Sequence, residues 1–274
     1  CIRDSFWGVR VVAATELGKI GSRQAQDILL QALQELDLVE FSRVRAAIAT
    51  ALGGFQVPQQ AELAERSAQA LSALLEKGDV SYLVEGAAAE ALGRTRTMGC
   101  VDALMRVVNR SSWNNRVQQN IFMGMGATGE DRVVDILASY LDNEQNHITL
   151  RMAAAMGLLS VGRNRYLYSE EARHRALMAL CEAVEHDTWH RVRAFAAMAL
   201  MALGEKRAIG VLERAARAEL ELHTRRIMRV ALHALRTGDK TDEQLKQLRK
   251  DLDQVCEENR KLKEQVGALE ARMK

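Results

Sequence analysis

Two histidines four residues apart stand in the stretch EHDTWHRVR, where an acid directly follows the first of them. His186, Asp187 and His190 differ from H-E-x-x-H, the helical zinc motif of metallopeptidases, by one methylene group in the acid. That chemistry requires both imidazoles on one face of a single helix and a glutamate that reaches the metal-bound water. We expect the first histidine to end one helix and the second to begin the next. The segment therefore predicts a structural turn and no zinc site.

Other patterns that could carry catalysis are weak. The sequence contains no G-x-x-x-x-G-K-[ST] phosphate loop and no G-x-S-x-G nucleophile elbow. Gly124, Gly126 and Gly129 have the spacing of a dinucleotide-binding turn, but no predicted strand precedes them. We therefore predict no catalytic, cofactor-binding or metal-binding residue in this chain.

Composition favours a helical protein of the cytoplasm. Only 4% of the 274 residues are aromatic, 48% are hydrophobic, and one is a proline. Lys and Arg number 38 against 36 Asp and Glu, so we expect neither nucleic acid nor an anionic membrane as partner. The longest apolar run, residues 194–203, is about half of a bilayer span. The four cysteines are far apart, which favours a reducing compartment over a disulfide framework.

An internal repeat predicts the elements that would position any site. A Val-Arg-type step followed by small and large apolar residues recurs in seven copies, at spacings of 33 to 42 residues. Within a copy these residues share one helical face, and a second amphipathic stretch separates successive copies. Such a hairpin cannot bury its apolar face alone, so we predict an all-α, HEAT-like α-solenoid of about seven stacked hairpins. The copies begin at Val9, Val44, Val84, Val117, Leu150, Val192 and Met228, the last being one residue out of register.

The turns of these hairpins predict a structural ladder of acids and arginines. Three acids precede the Arg position of a copy by six residues, where each can cap free backbone N–H groups and meet an arginine of its own or the neighbouring unit. Interleaved acids disfavour the alternative of an arginine row that binds phosphates. We interpret the basic excess in residues 206–236 as a solvated last repeat, with a local interaction patch as the alternative. Glu85 and Gln118 replace arginine in two copies. The ladder comprises Asp4, Asp79, Asp187, Arg10, Arg45, Arg151 and Arg193, with Trp7, Trp113 and Trp189 expected to pack in the turns.

The last part of the chain has a different period. After Gly238, apolar residues alternate at intervals of three and four, and Asn259 occupies a position where a buried Asn specifies a two-stranded pair. We predict a solenoid over residues 1–238 and a coiled-coil helix over 239–274 that joins two copies of the chain. The alternative is that this helix folds back onto the solenoid or extends alone. The predicted dimer seam contains Leu245, Leu248, Leu252, Val255, Asn259, Leu262, Val266 and Leu269.

Several blocks of the sequence resemble one family. DSFWGVRVVAATELGKIG, VRAAIATALGGF and, most distinctively, GDVSYLVEGAAAEALGRTR resemble the C-terminal HEAT-like region of bacterial gluzincin aminopeptidases, relatives of aminopeptidase N. In that family a Gly-x-Met-Glu-Asn segment and H-E-x-x-H with a later Glu act upstream of this region. Neither motif occurs here, so no catalytic or zinc-binding residue carries over. The resemblance implies zinc only in a catalytic domain outside this chain.

Two functions remain as expectations. The resemblance implies a non-catalytic accessory domain of a zinc aminopeptidase, which packs against or gates the catalytic domain and mediates protein contacts. The alternative is a free-standing HEAT scaffold that binds proteins and dimerises through its C-terminal zipper. The chain begins at Cys1 with what reads as the second half of a hairpin, so we expect a truncated first repeat and a longer parent polypeptide.

Overall fold

Two alternating rows of α-helices form the described part of the chain. The computed structural model describes residues 6–36, 41–110, 112–142 and 144–238, and these ranges contain no β-strand. Row B contains α1 (Trp7–Ile20), α3 (Ser42–Leu52), α5 (Tyr82–Thr95), α7 (Arg116–Met125), α9 (Ile148–Arg163), α11 (His190–Leu203) and α13 (Leu222–Thr237). Row A contains α2 (Arg23–Glu35), α4 (Ala61–Lys77), α6 (Cys100–Val107), α8 (Arg132–Asp142), α10 (Glu170–His186) and α12 (Ile209–Ala218).

Local capping fixes where many of these helices begin and end. The hydroxyls of Ser22 and Ser169 accept hydrogen bonds from backbone N–H groups in the first turns of α2 and α10. At their C-termini, α1 and α11 end on Gly21 and Gly204, whose positive φ angles of 63° and 77° suit a residue without a side chain.

Row B is the more closely packed of the two rows. Each row-B helix packs against the next one along the row, and each row-A helix does so more loosely. A Cβ added to Gly93 of α5 would lie 1.9 Å from the carbonyl oxygen of Gly124 in α7, so only glycine permits this approach. A Cβ added to Gly126 would likewise lie 2.3 Å from the carbonyl oxygen of Gly157.

One continuous hydrophobic core runs between the rows. It includes Leu29, Leu71, Leu104, Leu137 and Leu180 from successive row-A helices, together with alanines and large apolar residues of row B. Six A–B hairpins follow α1, and the predicted all-α solenoid of stacked hairpins is confirmed. The predicted coiled-coil helix lies outside the described residues, and so does the boundary between it and the solenoid.

The register predicted for the last repeat is wrong by one helical turn. The sequence pattern places the seventh copy at Met228, but the structure aligns Thr224 and Arg225 with Val192 and Arg193 of the preceding unit. Arg193 donates to the backbone oxygen of Asp187, six residues before it, and Arg225 donates to that of Glu219, also six before it. Arg229 resembled the repeat arginine only because α13 carries several arginines.

Candidate interaction face of the helix array

The turns before α5, α7, α11 and α13 each carry a charged group that joins neighbouring units. Arg45 of α3 donates to Asp79 of the next unit, with 2.7 Å between Nη2 and Oδ1, and the two side chains are only 1% and 3% exposed. Asp79 Oδ1 also accepts the backbone N–H of Ser81 at 2.8 Å. One carboxylate therefore fixes the backbone just before α5 and neutralises a buried arginine of α3.

The same arrangement occurs twice in the C-terminal half. Arg151 Nε donates to Asp187 Oδ2 at 3.0 Å, and Asp187 Oδ1 accepts the backbone N–H of Trp189 at 2.8 Å. Arg193 donates to both carboxylate oxygens of Glu219, at 2.7 and 2.8 Å. Burial opposes ionisation of Glu219, but the hydrogen bonds from Arg193 and the backbone hold its pKa below the ordinary value. Glu219 takes the place of an aspartate in this turn, which the sequence-based ladder did not include.

The two units without a ladder arginine replace it in different ways. Glu85 Oε1 accepts a hydrogen bond from Arg110 Nη1 at 2.7 Å, so the charges of the pair are reversed relative to Arg45 and Asp79. Gln118 accepts from the hydroxyl of Ser112 at 2.7 Å and donates its amide to the carbonyl oxygen of Arg110. The contact between units is therefore kept with reversed charges at Glu85, whereas Gln118 bonds to the turn before its own helix.

The remaining ladder residues have other surroundings. The Arg10 guanidinium lies 4.2 Å from the ring centroid of Phe41, and Asp4 lies outside the described residues. All three tryptophans lie at the junctions that begin row-B helices, where Trp7 contacts the Phe6 ring and the Arg43 guanidinium and Trp189 contacts the His190 ring. The exposed fraction reaches 74% for Trp113.

The two histidines of the pair lie on opposite sides of one turn. His186 is the last residue of α10 and His190 is the first of α11, which confirms that they lie on different helices. Glu182 lies 3.9 Å from His186, and Glu221 lies 3.9 Å from His190, each on its own side of the turn. Within the described ranges no group of three or more His, Cys, Asp or Glu side chains is arranged to hold a metal ion.

Two further properties concern the Cys100 thiol and the apolar character of the helices. Burial, with a contribution from the nearby Glu130, raises the pKa of Cys100 to about 12, so this thiol stays protonated at neutral pH. No helix in the described part has both the length and the apolar character needed to cross a bilayer.

Row B instead presents one helical stripe to solvent. In each row-B helix the residue five positions after the ladder residue points away from the core. These stripe positions are polar in the first three units and apolar in the last four. The ladder residues are Arg10, Arg45, Glu85, Gln118, Arg151, Arg193 and Arg225, and the corresponding stripe residues are Thr15, Thr50, Glu90, Met123, Met156, Met198 and Val230.

The apolar half of the stripe widens into a surface that we call the apolar face. It is partly exposed throughout, and Val230 is 53% exposed. Between α11 and α13 it forms a cavity of about 210 Å³, which Met198, Met201, Ile227 and Val230 line, with His223 and Arg226. The apolar face consists of Met123, Met152, Met156, Phe195, Met198, Met201, Ile227 and Val230.

Charge is divided between the two rows. The row-B helices contain 14 Lys and Arg but only three carboxylates, Glu16, Glu85 and Glu90. The row-A helices contain 13 Asp and Glu against nine Lys and Arg. A chain with a net charge of only +2 therefore carries a strongly basic row beside a weakly acidic one.

Sequence reasoning missed both the apolar face and this division of charge. The signal was present, because α7, α9, α11 and α13 contain no acidic residue at all. Whole-chain composition averages the two rows together, and the repeat template weighs only the residues that face the core.

Geometry and sequence comparison together define the class of protein. Stacked two-helix units with one continuous core and a repeated inter-unit contact are those of an α-solenoid repeat protein. A family model described as HEAT repeats matches residues 1–84 and 68–159, which together span more than half of the chain. The chain belongs to this family of HEAT repeat proteins. No curated protein matches the sequence.

Solved structures of similar architecture are distant. A designed armadillo repeat protein in complex with the peptide (KR)4 has 14% sequence identity and a TM-score of 0.45, covering 76% of this chain and 98% of that one. Human deoxyhypusine hydroxylase in complex with glycerol has 18% identity and a TM-score of 0.35, covering 81% of this chain and 88% of that one. At such low TM-scores these similarities carry no argument about function.

Proposed function

We propose that this chain is a non-catalytic HEAT scaffold that binds a protein partner through the apolar face of row B. The observation that carries this proposal is the run of Met123, Met156, Met198 and Val230 at one solvent-facing position of four successive units. Methionine adapts its shape to a partner, and a contiguous exposed apolar surface on a helical array is typical of protein contacts. The ladder supports this role because it fixes the spacing between units.

Site-specific photo-crosslinking in the cells that express the chain tests this proposal. A photoreactive amino acid placed at Met123, Met156, Met198 or Val230 should yield discrete adducts, which mass spectrometry identifies. Ile28 and Met178 are exposed apolar residues of row A and serve as matched control positions. Adducts that form equally well from the row-A positions, or none from row B, would contradict the proposal.

We propose further that the scaffold is an accessory domain of a zinc aminopeptidase, packed against or gating its catalytic part. What supports this is the resemblance of the GDVSYLVEGAAAEALGRTR block to that family's HEAT-like region. Zinc would then belong to the catalytic part and to none of the residues of this chain. The encoded sequence upstream of Cys1 tests the proposal, because it should contain H-E-x-x-H and Gly-x-Met-Glu-Asn. A coding sequence without these motifs would contradict this proposal and favour the alternative of a free-standing scaffold. We also propose that such a scaffold resides in the cytoplasm.

Dimerisation through residues 241–273 is a separate proposal. It is supported by the heptad spacing of the leucines and by Asn259 in the seam. Light scattering should show a dimer for the full chain and a monomer for a variant that lacks residues 240–274. A Leu252→Glu variant, which places a charge in the seam at unchanged chain length, should also be monomeric. If all three run as monomers, the zipper does not form.

A further inference from the structure

The acid-free helices and the apolar cavity meet at the C-terminal end of row B. From the contacts made there we infer that the scaffold's partner is an acidic amphipathic helix, which docks its apolar side chains into the cavity between α11 and α13. This inference rests on the proposed function and specifies the chemistry of the partner at the same face.

The cavity between α11 and α13 is small and apolar. At about 210 Å³ it is smaller than the roughly 300–1,000 Å³ typical of small-molecule sites, so it fits one or two partner side chains. Its walls are the side chains of Met198, Met201, Ile227 and Val230, which match a leucine or phenylalanine anchor better than a polar ligand. An amphipathic helix offers such anchors at intervals of three and four residues.

Exposed arginines surround the cavity. Arg226 lines its rim and Arg191 lies on the same stripe of α11, and both are exposed. Neither guanidinium forms an ion pair with any residue of the described ranges. Arg116 and Arg163 extend the same pattern to α7 and α9. The four helices carry no carboxylate, and the acids of the adjoining turns, Asp187, Glu219 and Glu221, lie beside Arg151, Arg193 and His190, so an acidic partner would complement the exposed arginines.

The apolar residues between the arginines distinguish an acidic protein partner from a nucleic acid. Both are anionic, but a phosphate backbone is bound mainly by hydrogen-bond donors and charge, with bases stacked on aromatic rings. Methionine, isoleucine and valine occupy most of the surface between the arginines, and Phe195 is the only aromatic residue of the apolar face. A mixture of apolar anchors and carboxylates fits this surface better than phosphates.

Fluorescence anisotropy with the full chain and defined probes tests the inference. The main probe is a labelled peptide of about 18 residues, long enough to form a helix, with leucines on one face and glutamates elsewhere. A second peptide replaces every glutamate with lysine, and the third probe is a single-stranded oligothymidylate of similar length. We expect the glutamate peptide to bind at least about tenfold more tightly than either other probe, and its affinity to fall with added salt.

Two variants of the chain localise the binding. Val230→Asp and Arg226→Glu should each lower the affinity for the glutamate peptide about tenfold. Arg226→Glu should also reduce the ratio of the affinity for the glutamate peptide to that for the lysine peptide. Val12→Asp on α1, where the side chain is 60% exposed, is the matched control for the first variant. Arg217→Glu on α12 of row A is the control for the second. Both wild-type positions at the site are exposed, so circular dichroism should show folded variants.

The outcomes separate this inference from the proposed function. Tighter binding of the lysine peptide, or equal binding to the site and control variants, would overturn the acidic helix while row-B crosslinks still supported a scaffold. Tighter binding of the oligothymidylate would overturn it in favour of a nucleic-acid surface. Absence of row-B crosslinks would contradict the proposed function itself.

Discussion

The buried charges of the ladder hold neighbouring repeats at a fixed spacing. Arg45 and Asp79 are paired with each other and almost completely removed from solvent, and 34 residues separate them in the sequence. A buried guanidinium without a carboxylate is strongly destabilising, because the cost of desolvation stays while the attraction is lost. The exposed ion pairs of row A, such as Arg175 with Asp135, are screened by water and contribute little.

We predict that Asp79→Ala lowers the free energy of unfolding by about 3–5 kcal/mol, because it removes the carboxylate that is paired with the buried Arg45 guanidinium. The matched control, Asp135→Ala, removes an exposed pair and should cost less than about 1 kcal/mol. Urea unfolding monitored by circular dichroism measures both values. Equal losses in the two variants would show that the buried pair has no special weight.

A second prediction concerns pH and the start of α13. Hydrogen bonds from the backbone of Thr224 and His223 lower the pKa of Glu221 from 4.5 to about 2, and His190 lies beside it. Because the folded pKa is the lower one, the stabilisation is fully present above pH 4.5 and is lost as the pH falls toward 2.

The Tm difference between the wild type and Glu221→Gln should therefore be largest at neutral pH and shrink between pH 4.5 and about 2. Thermal unfolding followed at several pH values measures it. A difference that stays constant over this range would rule out the charged cap as its source.

At the scale of the helix, glycine sets how closely row B packs. Gly93 and Gly124 let α5 and α7 approach until backbone meets backbone, and the carbonyl oxygen of Gly124 would lie 1.9 Å from an added Cβ. An added methyl group must push the two helices apart and disturb the core on both sides.

We predict that Gly93→Ala destabilises the chain by at least about 1–3 kcal/mol, despite the better helix propensity of alanine. Gly210→Ala in α12 is the control, because its added Cβ would meet nothing closer than 3.7 Å. That variant should gain up to about 1 kcal/mol from propensity. Chemical denaturation gives the two values, and a stabilised Gly93→Ala chain would refute the close approach.

At the scale of the whole molecule, the two rows differ in charge far more than the net charge indicates. At physiological salt, screening limits the interaction between exposed charges to a range of about 8 Å. A partner that approaches one row therefore interacts mainly with the charges of that row. The alternation of row-A and row-B helices along the sequence hides this difference from any measure of composition.

Cation-exchange chromatography should detect the basic row. The triple variant Arg116→Gln, Arg191→Gln and Arg226→Gln should elute at lower salt than the control triple Arg66→Gln, Arg132→Gln and Arg175→Gln. Both lose three positive charges, but the first set lies in row B and the second in row A. Equal elution of the two variants would show that retention follows the net charge alone.

The repeat period by itself determined the helices, the two-helix unit and the solenoid, because spacing along a chain decides which residues share a helical face. It also located the turn acids Asp79 and Asp187, since capping is a local property. It misplaced the last copy at Met228, because several arginines in α13 match a Val-Arg template equally well.

Only the tertiary structure decided which faces remain open to solvent and which charges meet. The stacking of units pairs Arg45 with Asp79. It also pairs Glu85 with Arg110, which stands where the repeat template has an acid. Val230 and Val192 are both apolar residues of row-B helices, yet Val230 is exposed and Val192 is buried. Burial depends on the neighbours that cover a side chain, and those neighbours come from helices more than thirty residues away in the sequence.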